Sequence, residues 1–449
     1  MGDPTTSTPE PWDYRERVQS SHPETVADRW GLDSVTNLAD LGADTDGNQP
    51  IDDLLKQHAD DGTLLYFPPG EYRIEDTVAL NGATDTDAGP GRLGLLGDDA
   101  TIVPAEGFDT VLLTVGYPDP LSSLLVRGFT FDFTAENTGA RPISATANDL
   151  VVLRDLSVDG VVDVPQDVFR LDVTSPDGKG FVHRLSLPDG STEPGVTGCE
   201  VGDDNHGDVT FLDCRIDGFP DNGLYADPPE GSIKVHGGSF RNNGVASVRI
   251  TTSEPSEVRG VHVRCDDADA VGKNMRGIRL RGGHDHVVED CLVEMLKVPS
   301  SDGAITIASE LESATIRNCR IRVDADGVNA LRVKQPNSGA GESVRHGPFG
   351  FENVRITGDA AGGAAVQASG RENCSFRGLC IHQPGDDRDG IVTTGVGGEV
   401  VDTCVSVTNE PLSFSNSTIE RRNVRLSSTP DEKNCDDEGA YQPLGPLRP

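Results

Sequence analysis

The chain has 449 residues, with 38 Lys plus Arg against 74 Asp plus Glu and a formal net charge of -36 at pH 7. That sign argues against nonspecific binding to nucleic acid, which rests on neutralising phosphates, and no run approaches the roughly 18 apolar residues of a membrane span. The acidic, Arg-biased and aromatic-poor composition resembles that of proteins adapted to molar salt, where a Debye length of roughly 3 Å leaves the net charge little long-range effect.

Residues 1–39 form a polar, Pro-containing N-terminal extension, with Trp12, Tyr14 and Trp30 as its anchors onto the body. It contains no apolar leader, so the chain is expected in the cytoplasm unless it has been trimmed or leaves by another route. The stretch PIDDLLKQHA (50–59) predicts a short amphipathic helix, with Pro at its first turn and acidic residues at its positive end. Such a helix would cover the open end of a first coil, because exposed terminal strands invite association.

The stretch DLGADTDGNQPIDDLLKQHADDGTLLYFPPGEYRI (40–74) resembles the N-terminal signature of the pectate-lyase superfamily of β-helix proteins, which includes polygalacturonase-like enzymes, exo-glucanases and phage tailspikes. Gly42 and Gly47 permit tight turns, and Pro68, Pro69 and Gly70 end a strand and redirect the chain. The resemblance implies a fold and leaves the reaction open.

From residue 91 the chain repeats one unit, an apolar strand ending in a small or polar corner: LLVRGFTF (124–131), VVLRDLSV (151–158), VTFLDCRI (209–216), HVVEDCLV (286–293) and ATIRNCRI (314–321) are clear copies. The sixth residue of each later unit, from 209 on, falls at 214, 238, 261, 291, 319, 354 and 379, a solenoid period of 23 to 35 residues. Alternation with period 2 makes the units strands. The fold class is therefore all-β, a single-stranded right-handed parallel β-helix over 40–427 with about a dozen coils, followed by a flexible tail at 428–449. Between 163 and 201 the pattern lapses, and VTSPDGKGFVHRLSLPDG reads as a hairpin-like excursion. Cys214, Cys291, Cys319 and Cys404 are assigned to one corner of the repeat, an interior ladder of compact side chains.

Each later coil has a second strand: GLYAD (223–227), SVRIT (247–251), GIRLR (277–281), AITIA (304–308), ALRVK (330–334) and AVQAS (365–369). Alternation turns Leu224, Val248, Ile278, Ile305, Leu331 and Val366 inward. Tyr225, Arg249, Arg279, Thr306, Arg332 and Gln367 then form one outward column, and Asp227, Thr251, Arg281, Ala308, Lys334 and Ser369 a second. Five cations thus share a face, and the Arg side chain pairs carboxylate or sulfate bidentately. The alternative is that they pair with neighbouring Asp and Glu.

Asp221, Asp227, Asp302 and Glu310 border this stripe. Asp227 and Asp302 would serve a glycoside hydrolase if their coils are close neighbours, since two carboxyls about 5 Å or 6.5–9.5 Å apart are required. In a polyuronate lyase Arg279 or Arg332 would act on the proton α to the carboxylate, assisted by His284 or His286. Arg332-Val333-Lys334 is similar to the substrate-carboxylate motif of polygalacturonases, whereas no Gly-His-Gly occurs. That resemblance carries over only the binding role of Arg332 and Lys334. Asp203, Asp204, Asn205 and Asp208 offer oxygens for Ca²⁺, and no other cofactor is expected.

Together these readings predict a protein that binds, cleaves or epimerises an acidic polysaccharide. Asp227, Asp302, Arg279 and Arg332 are its catalytic candidates, and Tyr225, Arg249, Arg281, Lys334 and Gln367 its substrate contacts. The alternatives are a noncatalytic surface or virion spike, monomeric or trimeric, and an intracellular accessory of glycan assembly.

Overall fold

The computed structural model describes residues 22–81, 91–267, 274–337 and 347–429, so Trp12, Tyr14 and nearly all of the expected tail lie outside the described residues. The architecture is a right-handed parallel β-helix of about 13 turns. One turn runs Asp208–Leu212, Arg215–Asp217 and Asn222–Ala226, and the next Ile233–His236, Ser239–Arg241 and Ala246–Thr251. Val209 pairs with Ile233, Arg215 with Ser239 and Leu224 with Val248, all in parallel. Each position along a turn therefore builds its own sheet, called here sheets 1, 2 and 3 in chain order. The first rung, Ser34–Asn37 against Thr63–Phe67, precedes the expected start at residue 40.

The polar corner of the repeat lies between sheets 1 and 2. Asp213, Gly237, Gly260, Asp290, Asn318, Asn353 and Gly378 all have positive φ there, a conformation open to Gly and tolerated by Asn and Asp. Cys214, Cys291 and Cys319 follow this corner, buried, with Sγ donating to the carbonyls of Val182, Val258 and Val288 in preceding turns. Burial pushes the Cys214 thiol up to about 12, which leaves it unreactive. Cys404 does not join this ladder. Asp402 takes the corner and Thr403 the position after it, donating to the Val401 carbonyl at 2.9 Å, while Cys404 lies one residue on, opposite Cys380.

The segment expected as an excursion is a regular turn. Phe169–Val173 pairs with both the preceding and the following turn in sheet 3, and Lys179–Leu187 does so in sheets 1 and 2. The sequence disguises this repeat because Arg184 stands where other corners carry Gly, Asn or Asp.

One hydrophobic cluster fills the lumen from Leu38 to Val407. Helix α1 (Pro23–Trp30) packs Val26 and Ala27 on the outside of sheet 1, against Leu64 and Leu96, with Trp30 at the margin. Helix α2 (Asp52–His58) forms where expected and puts Leu55 into the lumen beside Phe67 and Ile74, closing that end of the core.

Arg371 is fully buried and donates to the carbonyls of Lys334 (2.9 Å), Leu311 (3.0 Å) and Ala308 (2.9 Å), with its guanidinium over the Phe349 ring. Ala308 and Lys334 directly follow the sheet 3 strands Ile305–Ile307 and Leu331–Val333, so one cation fixes how two neighbouring loops leave that sheet. Arg371→Met would remove these bonds from the buried carbonyls, and unfolding experiments should give a stability loss of about 3 kcal/mol.

Candidate functional site

Sheet 3 carries the column that alternation predicts. Tyr225 pairs with Arg249, Arg249 with Arg279, Arg279 with Thr306, Thr306 with Arg332 and Arg332 with Gln367. Leu224, Val248, Ile278, Ile305, Leu331 and Val366 are buried on the inner side. The column also runs backward through Glu200 and Arg170, residues missed because their turn was read as an excursion. The second column is interrupted. The register shifts between Ile250 and Thr251, so Thr251 opposes Gly282 and Arg281 is left as the extra residue.

Partners differ along the stripe. Arg249 is buried, lies 4.2 Å from the Tyr225 ring centroid and donates to Tyr225 Oη at 3.2 Å and Asp227 Oδ2 at 3.5 Å. Tyr225 itself donates to Asp227 at 2.7 Å. Arg281, on the bulge, stands 3.9 Å from Asp227 and 3.9 Å from Glu310. Lys334 donates to Asp302 Oδ2 at 2.6 Å, and Arg276 Nη2 to the same oxygen at 2.5 Å. Arg276 lies just ahead of its strand, so strand alternation did not find it.

Arg279 and Arg332 are different. Among the described residues neither forms an ion pair with a carboxylate. Arg279 Nε is buried without a hydrogen-bond partner, and Arg332 donates only long bonds of 3.4 Å to the carbonyls of Val333 and Gln367. Burial and then the cations Arg276, Arg249 and Arg281 push Arg279 down to about 10, so it remains charged at neutral pH. Burial lowers Arg332 too, partly offset by Asp302. The two sit two rungs apart, about 10 Å at the usual parallel-strand spacing. Gln367 occupies the next rung, half-buried.

The carboxylates do not gather as a pair of Asp227 with Asp302. The strands they adjoin are linked through Ala226–Ile250, Ile250–Leu280 and Leu280–Ile307, three rungs or about 14 Å. Burial raises the Asp302 carboxyl, but its bonds from Lys334 and Arg276 outweigh that and hold it well below the usual carboxylate range. It is an anion at neutral pH and has no proton to donate. Asp221 is pushed up by burial, partly offset by Arg249. His286 is fully buried, accepting from Ser256 N at Nδ1 and donating from Nε2 to the Gly282 carbonyl, while His284 pairs with Asp285. Both are engaged away from the stripe.

In the acidic loop, Asp203 and Asp204 meet Arg170, Asp208 meets Lys179, and Asn205 is buried against the backbone of Val173 and Gly207. Among the described residues no three His, Cys, Asp or Glu side chains gather as metal ligands.

No family model matches the chain, and no curated protein matches it. Solved structures similar to it include the catalytic unit of the GH87 α-1,3-glucanase of Streptomyces thermodiastaticus, at 14% identity and a TM-score of 0.46 over 88% of this chain and 69% of that one. The A-module of the Azotobacter vinelandii mannuronan C-5 epimerase AlgE6 is similar at 14% identity and 0.41, covering 87% and 99%. The Streptococcus pneumoniae surface adhesin PfbA gives 11% and 0.40, covering 88% and 98%. None of these transfers a residue role at such identities.

Asp302→Asn would leave Arg276 and Lys334 facing each other, a loss of about 2 kcal/mol at neutral pH, below the figure for a fully buried pair because Asp302 keeps some solvent contact. A depressed carboxyl stabilises the fold above its unfolded value of about 3.9 and loses that contribution as pH falls through the lower folded value. Unfolding midpoints of wild type and variant should therefore differ at neutral pH and converge in strong acid.

Proposed function

We propose that the outer face of sheet 3, from about residue 223 to 370, binds an acidic polysaccharide laid along the axis of the solenoid. The observation that carries this reading is the pair Arg279 and Arg332. In a chain of net charge -36, they lack a carboxylate partner among the described residues, while Arg249, Arg276, Arg281 and Lys334 around them each lie against one. Clustering like charges in a half-buried setting is unfavourable, and an arriving anion relieves it. A sugar carboxylate or sulfate matches the guanidinium fork.

A uronate held there would have its charge neutralised by Arg279 or Arg332. Neutralisation acidifies the proton on the carbon bearing the carboxylate, the proton whose removal begins lyase and epimerase chemistry. A hydrolytic reading rests on a separate observation. Asp227 and Glu310 each stand 3.9 Å from Arg281, which puts them within about 10 Å of each other, a range that includes the inverting separation of about 6.5–9.5 Å.

The test is a binding panel of uronate-containing, sulfated and neutral oligosaccharides. Arg279→Ala and Arg332→Ala should each weaken binding of the acidic ligands about tenfold or more, the scale of one charged hydrogen bond. Affinity should be level through neutral pH, where the Arg279 guanidinium keeps its charge. Unsaturated uronate product would mark a lyase and new reducing ends a hydrolase, whereas tight binding without turnover would mark an adhesive or structural protein. Equal affinity for neutral glycans, or a double variant that binds as the wild type does, would overturn the proposal.

A further inference from the structure

Among the described residues, sixteen non-glycine residues have positive φ; fifteen are Asn or Asp, and the other is Arg184, at φ 55. A long side chain in the left-handed region is strained by its Cβ, and such strain persists where the surroundings or a function require it. At the equivalent corners of the adjacent turns the residues are Asp155 and Asp213. Nothing about the turn itself calls for arginine.

What Arg184 does is reach Asp155. That carboxylate is already met by Arg127 at 3.4 Å and Arg154 at 3.2 Å, so a third guanidinium exceeds what Asp155 needs. Arg127 and Arg154 are opposite one another on successive rungs of sheet 1. Their side chains are 13% and 8% exposed, whereas that of Arg184 is 49% exposed and faces solvent over them. His183, next to this group, is pushed down to about 4 by burial and then by Arg154 and Arg184, partly offset by Asp155 and Asp213.

A groove of about 440 Å³ opens at this corner, remote in sequence from the sheet 3 stripe, and Arg127, Asp155 and Arg184 line it. The sheet 2 wall supplies hydroxyls on three consecutive rungs, Thr130, Ser157 and Ser186, which pair in register. Asp98 and Asp99 also line it, from a corner that is wider than the others because the register shifts between Leu96 and Ala100. Asp98 accepts from Tyr66 Oη at 3.2 Å. Arginines for an oxyanion, with carboxylates and hydroxyls for sugar OH groups, are the complement of an acidic monosaccharide unit.

We propose that this corner groove is a second glycan site, taking a sugar that bears a carboxylate or sulfate, with Arg184 held in a strained conformation to contact the acidic group. The proposal stands apart from the sheet 3 reading, since none of its residues belongs to that stripe.

The test uses the intact protein and four probes: D-glucuronate, glucose 6-sulfate, glucose and inorganic sulfate. Saturable binding of at least one acidic sugar should fall about tenfold or more in Arg184→Asn. The same variant should unfold at an equal or higher midpoint, because Asn accepts the left-handed corner and Asp155 keeps Arg127 and Arg154. An arginine present only for stability would give the opposite midpoint shift. Repeated in the Arg279→Ala/Arg332→Ala double variant, which silences the sheet 3 site, the binding and its dependence on Arg184 should persist, and this separates failure here from failure there. Absence of saturable binding by either acidic sugar, binding that Arg184→Asn leaves intact, or equal affinity for inorganic sulfate and the sulfated sugar would overturn it.

Discussion

Parallel hydrogen bonding between successive turns is the constraint from which the rest follows. Once Val209 is paired with Ile233 and Leu224 with Val248, every residue of a turn has a fixed angular position, and its equivalents stand about 4.8 Å above and below. Identical positions must then solve identical problems. Inward positions stack into one continuous core, and the corner between sheets 1 and 2 needs a residue that accepts the left-handed conformation. Outward positions become columns in which side chains on neighbouring rungs are forced into contact.

That enforced contact makes charge consequential on the outside of this solenoid. A column that puts Arg249 opposite Arg279 creates repulsion that only a carboxylate from a neighbouring loop, or a ligand, can relieve. Asp227 and Asp302 do this for Arg249, Arg276 and Lys334, and among the described residues no carboxylate does it for Arg279 and Arg332. The corner groove has the converse arrangement, with three arginines gathered on Asp155. Inside the loops the solution is different again: Arg371 satisfies its guanidinium with backbone carbonyls of segments that leave sheet 3, and Arg388 bonds the Gln383 side chain and the Val328 and Gly362 carbonyls of segments that enter it.

The outward column from Tyr225 to Gln367 was legible because alternation along a strand is a local property and rung equivalence follows from the repeat. Where the repeat was disguised, reading failed. Arg184 at a corner hid an entire turn, and with it Arg170 and Glu200. The bulge after Ile250 displaced Arg281 from the second column, and sequence carries no mark of such a shift. Arg276 was missed because its importance lies in how far its side chain extends, from a position ahead of the strand, to Asp302.

By itself the sequence determined the solenoid, its strand-and-corner repeat with a second strand in each later coil, the inward column of that strand and the helix that closes one end of the core, because each depends on composition and spacing within one or two turns. Only the tertiary structure decided which cations are neutralised and which are not, that Asp227 and Asp302 are three rungs apart, and that Arg184 shares Asp155 with two other arginines. Those outcomes depend on distances between side chains of different turns, and a difference of one rung or one bulged residue changes the partner entirely.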